Sequence, residues 1–452
     1  MKNPTAIRRE DLSKRGEKRV AVVPALARTL TDQGIALSVQ PRQHPEAGTI
    51  KRAFEDSDYQ AVGAQITEDI AAAQVVFGLK EIKLDYIHSG RTYLCFSHTH
   101  KGQVKNRPML KAFKERGATL MDYELMVDES GARVITAFTY FAGYAGMVDT
   151  LWTVGRRYAR AGQPHPFSRV PQSIETEDLG VIKQLLAEIG QDITVHGTPA
   201  DLPPFINVIL GEGKTSYGAQ EIYDILPVTE IGLGDLATTY AEGDRHRVYK
   251  CVLGITDMFR LKSDAQISLA EYAARDKAGR EAHYFQHPED FESNLDQVLS
   301  YTTILMNCIL WGPEFPRTMS LDFTAEQWAR SQTLQAIGDV TCDPAGSIEF
   351  SKETWIDNPV FVYDPATRTA VDGFAGEGIA VMAVTNLPCE FSADASAQFS
   401  ENLAPYAAAI ATADYTGALE DSGLPADIQR SVILWRGEFT EPYRYMTDFL
   451  PD

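Results

Sequence analysis

Long apolar stretches are missing from this chain of 452 residues. No run approaches the about 20 apolar residues that a membrane-spanning helix needs. Basic residues are also in short supply. Against 62 aspartates and glutamates stand 42 lysines and arginines, a net charge of −20 that repels phosphate backbones and anionic lipid surfaces. Nucleic acid and membranes are therefore not expected as partners. Cysteine is scarce: Cys95, Cys251, Cys308, Cys342 and Cys389 are scattered and form no C-x-x-C pair of the kind that binds zinc or exchanges disulfides. They read as reduced thiols of a cytoplasmic protein. The stretch from Met1 to Arg19 has no apolar h-region, so no export signal is expected. H-E-x-x-H, G-x-S-x-G and paired metal-ligand spacings are absent too, and neither a metal nor a covalent nucleophile is inferred.

What is present is globular, with 44% hydrophobic and 23% charged residues. At about 150 residues per domain, the length suggests two lobes. Short apolar runs (Val20 to Val23, Ala36 to Val39, Val75 to Leu79, Tyr93 to Phe96, Thr119 to Met121) alternate with helical patterns, which predicts an α/β fold with a parallel sheet. Pro24 opens the first helix, Leu26 and Leu30 lie one turn apart on it, and Gly34 closes it. A second apolar stripe (Leu179, Ile182, Leu185, Leu186, Ile189) predicts a helix ending at Gly190. After it, the run Phe205 to Leu210 opens the sheet of a second lobe. Asp257 to Ser320 reads as an elaboration, Leu334 to Val340 as a strand leading to Asp343, and the segment from Gly378 as a return to the first lobe. A chain that crosses the boundary twice is a natural hinge around a cleft. The expected division is a first domain of residues 1–140 and 378–452 and a second of residues 141–377.

The strongest motif is Gly211-Glu212-Gly213-Lys214-Thr215-Ser216-Tyr217-Gly218, between that apolar strand and a helical pattern through Ile222, Ile225 and Leu226. Glycines at such a turn let a pyrophosphate approach the backbone, and free amides at the helix start favour its charge. The spacing is longer than G-x-G-x-x-G, so a Gly-rich turn without ligand is the alternative. A triphosphate loop is rejected because Val208 stands where that motif needs glycine. Glu230, near the end of the next strand, is placed to accept the ribose hydroxyls of NAD, whereas Arg245-His246-Arg247 would hold the 2′-phosphate of NADP. NADP is slightly preferred over NAD. Lys80 and Glu81 follow one apolar strand, and His98 and Lys101 follow the next, so both pairs sit where α/β sheets bind ligands. Lys80 would exchange protons with an amine while His98 serves a carbonyl oxygen, with Glu81 and Glu124 as tuning acids. Taken singly, each also reads as an ordinary surface lysine or loop histidine. Arg19 is a candidate for a substrate carboxylate or a surface partner of Glu17. With Lys80 and Lys101 it would make a basic pocket for di- or tricarboxylic substrates. Asp343 would contact a substrate ammonium or serve as a plain turn residue before Pro344.

These residues carry a resemblance. Arg8-Arg9-Glu10, Glu17-x-Arg19-Val20-Ala21 and Phe77-Gly78-Leu79-Lys80-Glu81 resemble the alanine dehydrogenase and transhydrogenase superfamily. Ser97-His98-Thr99-His100-Lys101 is similar to a segment of the lysine-forming saccharopine dehydrogenases and of the lysine-ketoglutarate reductase half of aminoadipic semialdehyde synthase. Gly211-x-Gly213 with Gly218-Ala219-Gln220, His287-Pro288-Glu289, Trp311 with Pro316-Arg317, and Gly346-Ser347-Ile348-Glu349-Phe350 resemble the reductase half rather than the shorter fungal enzyme. The resemblance implies two Rossmann-like lobes with an interdomain cleft, the discontinuous one for substrate and the other for dinucleotide. It implies Lys80 and His98 as the acid-base pair, Arg19 and Lys101 as carboxylate contacts, Glu81 and Glu124 as tuning acids, and Arg133 as a cofactor-side arginine. Asp343 falls on that family's Ser-Ala-Asp stretch. One extra residue between Arg133 and Ala142-Gly143 departs from the pattern. The implied activity is NAD(P)-linked coupling of lysine and 2-oxoglutarate to saccharopine, without the synthase's glutamate-forming step. An opine-type dehydrogenase for another amine and 2-oxo acid, and a silent dinucleotide sensor, are the alternatives. Self-association is left open.

Overall fold

The computed structural model describes residues 2–450. By contact density the chain forms two units: unit 1 runs to Phe138 and resumes at Ser392, and unit 2 is Thr139–Phe391. Unit 1 begins with β1 (Thr5–Ile7), β2 (Leu37–Val39), β3 (Gln65–Ile66), β4 (Val75–Phe77), β5 (Thr92–Cys95) and β6 (Thr119–Asp122). Unit 2 contributes β7 (Ile206–Leu210), β8 (Val228–Glu230), β9 (Val248–Leu253), β10 (Phe259–Leu261), β11 (Phe291–Ser293), β12 (Ile304–Asn307), β13 (Ala336–Asp339), β14 (Val360–Asp364), β15 (Thr369–Asp372) and β16 (Ile379–Met382). The return to unit 1 adds β17 (Val432–Trp435) and β18 (Glu438–Phe439).

The sheet of unit 1 has the order β18-β17-β6-β5-β4-β1-β2-β3. Strands β1 to β6 are mutually parallel, while β17 runs antiparallel to both β6 and β18, so the sheet is mixed rather than wholly parallel. Its first strand is Thr5–Ile7 and not Val20 to Val23. The latter segment is buried, but the Val20 and Val23 amides donate to the Ser396 and Ser400 hydroxyls at 2.9 and 3.1 Å, so side chains of the helix Ser392–Thr412 replace a neighbouring strand. The helix Pro24–Asp32 then starts at its proline and buries Leu26, Ala27 and Leu30.

Unit 2 holds a second mixed sheet of order β15-β14-β16-β13-β12-β7-β9-β8, with β14 antiparallel to both β15 and β16. Three expectations need correction here. The helix Leu179–His196 runs through Gly190, because a Cβ there would lie 3.2–3.4 Å from Leu226, Pro227 and the Ile225 carbonyl, and the glycine allows that close approach. The region read as an elaboration contains β12, a central strand flanked by β7 and β13, as well as the β10-β11 hairpin. The run from Gly378 supplies β16 to this same sheet, so the return starts at Ser392 and the domain boundaries 140/141 and 377/378 move to 138/139 and 391/392.

Two fully buried carboxyls, Asp149 and Glu390, lie together in unit 2; one oxygen of each accepts from the Ser173 and Ile174 amides at 2.8 and 3.1 Å, and the other oxygen of each has no hydrogen-bond partner among the described residues. Burial is the main cause that pushes Asp149 up to about 6, and burial beside Asp149 raises Glu390 well above the usual range. Folded-state values above the unfolded ones mean that this pair's stabilisation is complete below pH about 4 and is lost as pH rises through the folded values. Glu390→Gln removes one of the two charges, offers Asp149 a donor and keeps an acceptor for Ile174. The variant is expected to gain on the order of 1 kcal/mol over the parent at pH 8 and to flatten the pH dependence of thermal unfolding.

Candidate functional site

Strands β4 and β5 are adjacent and parallel, with Phe77 opposite Leu94. Their pairing continues one step past the strand ends through Gly78 N–H to the Leu94 carbonyl (3.0 Å) and Phe96 N–H to the Leu79 carbonyl (2.8 Å). Lys80 and His98 therefore leave the sheet at one edge. The half-buried Lys80 ammonium has no hydrogen-bond or ion-pair partner among the described residues. Glu81 binds His98 Nδ1 at 2.9 Å through one oxygen and Lys14 through the other. Burial alone would raise the Glu81 carboxyl, but these two bonds outweigh it and hold the group well below the usual carboxylate range. A carboxylate on Nδ1 fixes that nitrogen as the donor and leaves Nε2 as the exchangeable position. His98 has φ +47°, a left-handed conformation uncommon for a residue with a Cβ and concentrated at functional sites.

Glu124 gathers the cations of the next loops. Arg133 Nη2 lies 2.7 Å and Lys101 Nζ 3.4 Å from its Oε1, and His100 Nε2 lies 3.9 Å from Oε2. Burial raises Glu124, but the Lys101 and Arg133 charges, with His100 when it is protonated, outweigh it and lower the carboxyl; burial makes His100 harder to protonate. Arg133 thus stands in unit 1 with the substrate candidates. Arg19 is buried, donates to Glu17 at 2.8 and 2.6 Å and lies 4.2 Å over the Phe138 ring, so its pairing with Glu17 is an interior one rather than the surface pair considered as an alternative.

In unit 2, β7 is followed by Gly211 at φ +103°, where a Cβ would lie 3.0 Å from the Cys308 carbonyl. A Cβ on Gly213 would meet nothing within 4 Å, and the helix Lys214–Tyr223 starts there without a side-chain cap. Tyr217 N–H takes the first helical acceptor, Gly213 O. The Lys214, Thr215 and Ser216 amides precede it and are unpartnered among the described residues. An open glycine and three free amides at a helix start fit a pyrophosphate. Two members of the motif act otherwise. The buried Ser216 hydroxyl accepts from Gln220 at 3.0 Å, and Gly218 faces the helix Ala137–Arg160, where a Cβ would be 2.3 Å from the Tyr140 carbonyl. Gly218 is therefore a helix-packing glycine and not a phosphate contact.

Glu230 ends β8 with its carboxylate 3.2 Å from Lys250, which also binds Asp224 at 2.8 Å. Arg245-His246-Arg247 precede β9, at the amino edge of the sheet, and Arg245 is bonded to the Pro199 and Leu202 carbonyls. That run is at the wrong end of the parallel strands for a 2′-phosphate, and it withdraws the reason for preferring NADP. Asp343 lies past β13, partly buried, and burial raises its carboxyl. The strand end itself is occupied by Asp339, which accepts from Asn307 Nδ2 (2.8 Å), the Cys342 amide (3.2 Å) and the Ser351 hydroxyl. No cluster of metal-ligating residues occurs among the described residues, and none of their helices is long and apolar enough to cross a membrane. Sequence reasoning missed Lys14 and Asp122, and it quoted Glu10 only as part of a motif. All three make contacts that depend on strand order, and no local pattern marks them.

Residues 6–145 match the alanine dehydrogenase/PNT N-terminal domain, and residues 332–442 match the alanine dehydrogenase/PNT C-terminal domain. Alpha-aminoadipic semialdehyde synthase of Arabidopsis thaliana is 33% identical over 88% of this chain and 37% of its own length. Saccharopine dehydrogenase [NAD(+), L-lysine-forming] of Emericella nidulans is 22% identical over 87% of this chain and 88% of its own. The chain spans less than half the length of the synthases it matches. An L-alanine dehydrogenase structure superposes with a TM-score of 0.60 at 17% identity, covering 99% of this chain and all of the other. The first match contains the Lys80 and His98 edge, the two together bracket the glycine turn, and the chain belongs to the alanine dehydrogenase/PNT family.

Proposed function

We propose that this protein is an NAD(P)-dependent oxidoreductase that couples the side-chain amine of L-lysine with 2-oxoglutarate to give saccharopine, and runs the reverse reaction. The observation that carries the reading is the free Lys80 ammonium beside a Glu81-held His98, in a chain similar along most of its length to enzymes named for that chemistry. Bound dinucleotide would supply hydride exchange at the C–N carbon. Gly211, Gly213 and the amides of Lys214, Thr215 and Ser216 would hold its pyrophosphate. Lys80 takes and returns the amine proton, and His98 Nε2 does the same for the oxygen lost as water. Lys101 binds a substrate carboxylate with Arg133 beside it on Glu124, Glu81 and Glu124 set the charge around Lys80 and Lys101, and Arg19 stays in its interior pair with Glu17.

Glu230 selects the dinucleotide. With Asp224 beside it and only Lys250 to offset them, that corner carries net negative charge, which accepts ribose hydroxyls and repels a 2′-phosphate. NAD is the cofactor this arrangement favours. Oxidation of NADH on mixing lysine and 2-oxoglutarate tests the whole reading, and a panel of other amines and 2-oxo acids tests the substrate pair. No turnover with any pair would reject it. Glu230→Ala is expected to raise KM for NADH about tenfold, the value of one charge-assisted bond, with a smaller change for NADPH.

A further inference from the structure

We propose that two buried carboxylates, Glu10 and Asp122, are positioning residues that set the backbone of the Lys80 and His98 loops from opposite sides. The inference rests on the catalytic reading of Lys80 and His98 above. The ladder between β4 and β5 stops at the bond from Phe96 N–H to the Leu79 carbonyl, and the amides of Leu79, Lys80 and Ser97 have no strand acceptor. Glu10, just after β1, accepts from the Leu79 and Lys80 amides at 2.9 and 3.1 Å, one per oxygen. Asp122, the last residue of β6, accepts from the Ser97 amide at 3.0 Å and from the Ser97 hydroxyl with one oxygen, and from the Glu124 amide at 2.8 Å with the other. The sheet order β6-β5-β4-β1 puts these two strands on either side of the catalytic pair. Both carboxylates are 0–1% exposed and touch neither the Lys80 ammonium nor the His98 ring. A carboxylate offers two acceptor oxygens, so each holds donors that diverge in direction: two amides at Glu10, and two amides and a hydroxyl at Asp122.

His98 is where this matters most, because its left-handed conformation is unfavourable by about 1 kcal/mol or more and persists only when its neighbours hold it. Asp122 grips the residue before it, and Asn106 Nδ2 donates to the His98 carbonyl at 3.0 Å on the other side. Released from Asp122, the loop would relax and the ring would leave Glu81.

The test uses the full chain with selectively labelled histidine. In the parent, nitrogen-15 spectra should show His98 as the Nδ1–H tautomer. Asp122→Asn should mix the tautomers and lower kcat at least tenfold, with KM for NADH within twofold. Glu10→Gln should lower kcat similarly but leave the His98 spectrum at its parent form, because it acts on the Lys80 side. Should Asp122→Asn fail to fold, Ser97→Ala removes one donor to the same oxygen and should move the His98 spectrum in the same direction. Parent-like His98 spectra in both Asp122→Asn and Ser97→Ala would overturn the proposal. A parent without turnover would reject the reaction but leave the spectroscopic result to decide the positioning.

Discussion

Lys80→Met is expected to lower kcat by 10²- to 10⁴-fold, about the full contribution of a positioned acid-base group, while the dissociation constant for NADH stays at its parent value. Methionine keeps the length and most of the apolar stem, so packing changes little, but it can neither hold nor release a proton. Cofactor affinity is expected to be unchanged because the phosphate cradle lies on Gly211, Gly213 and the helix Lys214–Tyr223, in the other unit. Steady-state rates with lysine and 2-oxoglutarate, together with quenching of nicotinamide fluorescence, separate the two effects. Turnover equal to the parent would remove Lys80 from the chemistry. Weakened NADH binding with unchanged kcat would move it to a binding role.

Gly143→Leu is expected to produce the largest loss of stability, about 3 kcal/mol or more, with NADH binding lost at the same time. A Cβ at Gly143 would sit 2.1 Å from the Thr215 carbonyl and 2.6 Å from the Ala219 amide nitrogen, and Gly218 leaves the same tight margin from the opposite helix. Backbone is in contact with backbone here, so no side chain can swing aside. The helix Lys214–Tyr223 must move, and the three amides that would bind pyrophosphate move with it. Thermal unfolding and NADH fluorescence check both parts. A variant with parent stability would show that the two helices can separate at no cost. Parent-like binding would detach the cradle from this contact.

Much of this was readable in advance where the signal is local. β7 is five buried apolar residues followed by a glycine-rich turn, and a strand covered on both faces has few other ways to look. Lys80 and His98 stand out as candidates because each lies just past a buried apolar run. The first strand is not legible in the sequence for a physical reason: Thr5–Ile7 is three residues followed by a charged stretch, whereas Val20 to Val23 has the apolar look of a strand but gives its Val20 and Val23 amides to serines 376 and 377 residues away. Gly190 looked like a stop because a glycine that permits close packing and a glycine that ends a helix are the same letter. Arg245 to Arg247 looked like a phosphate clamp until strand direction fixed which edge they occupy. Glu10 and Asp122 belong to this second kind. Each takes its meaning from which strand lies beside it, and that order is set by the whole sheet.

The double crossing at Phe138 and Ser392 reaches into biosynthesis. Unit 2 is one uninterrupted stretch of gene, so it can finish folding as it emerges from the ribosome. Unit 1, although translated first, must wait with the outer edge of β6 unpaired and the Tyr123 ring uncovered until β17 and Phe399 arrive. The half that starts earliest is completed last, and in the interval its open strand edge is what a chaperone would have to shield.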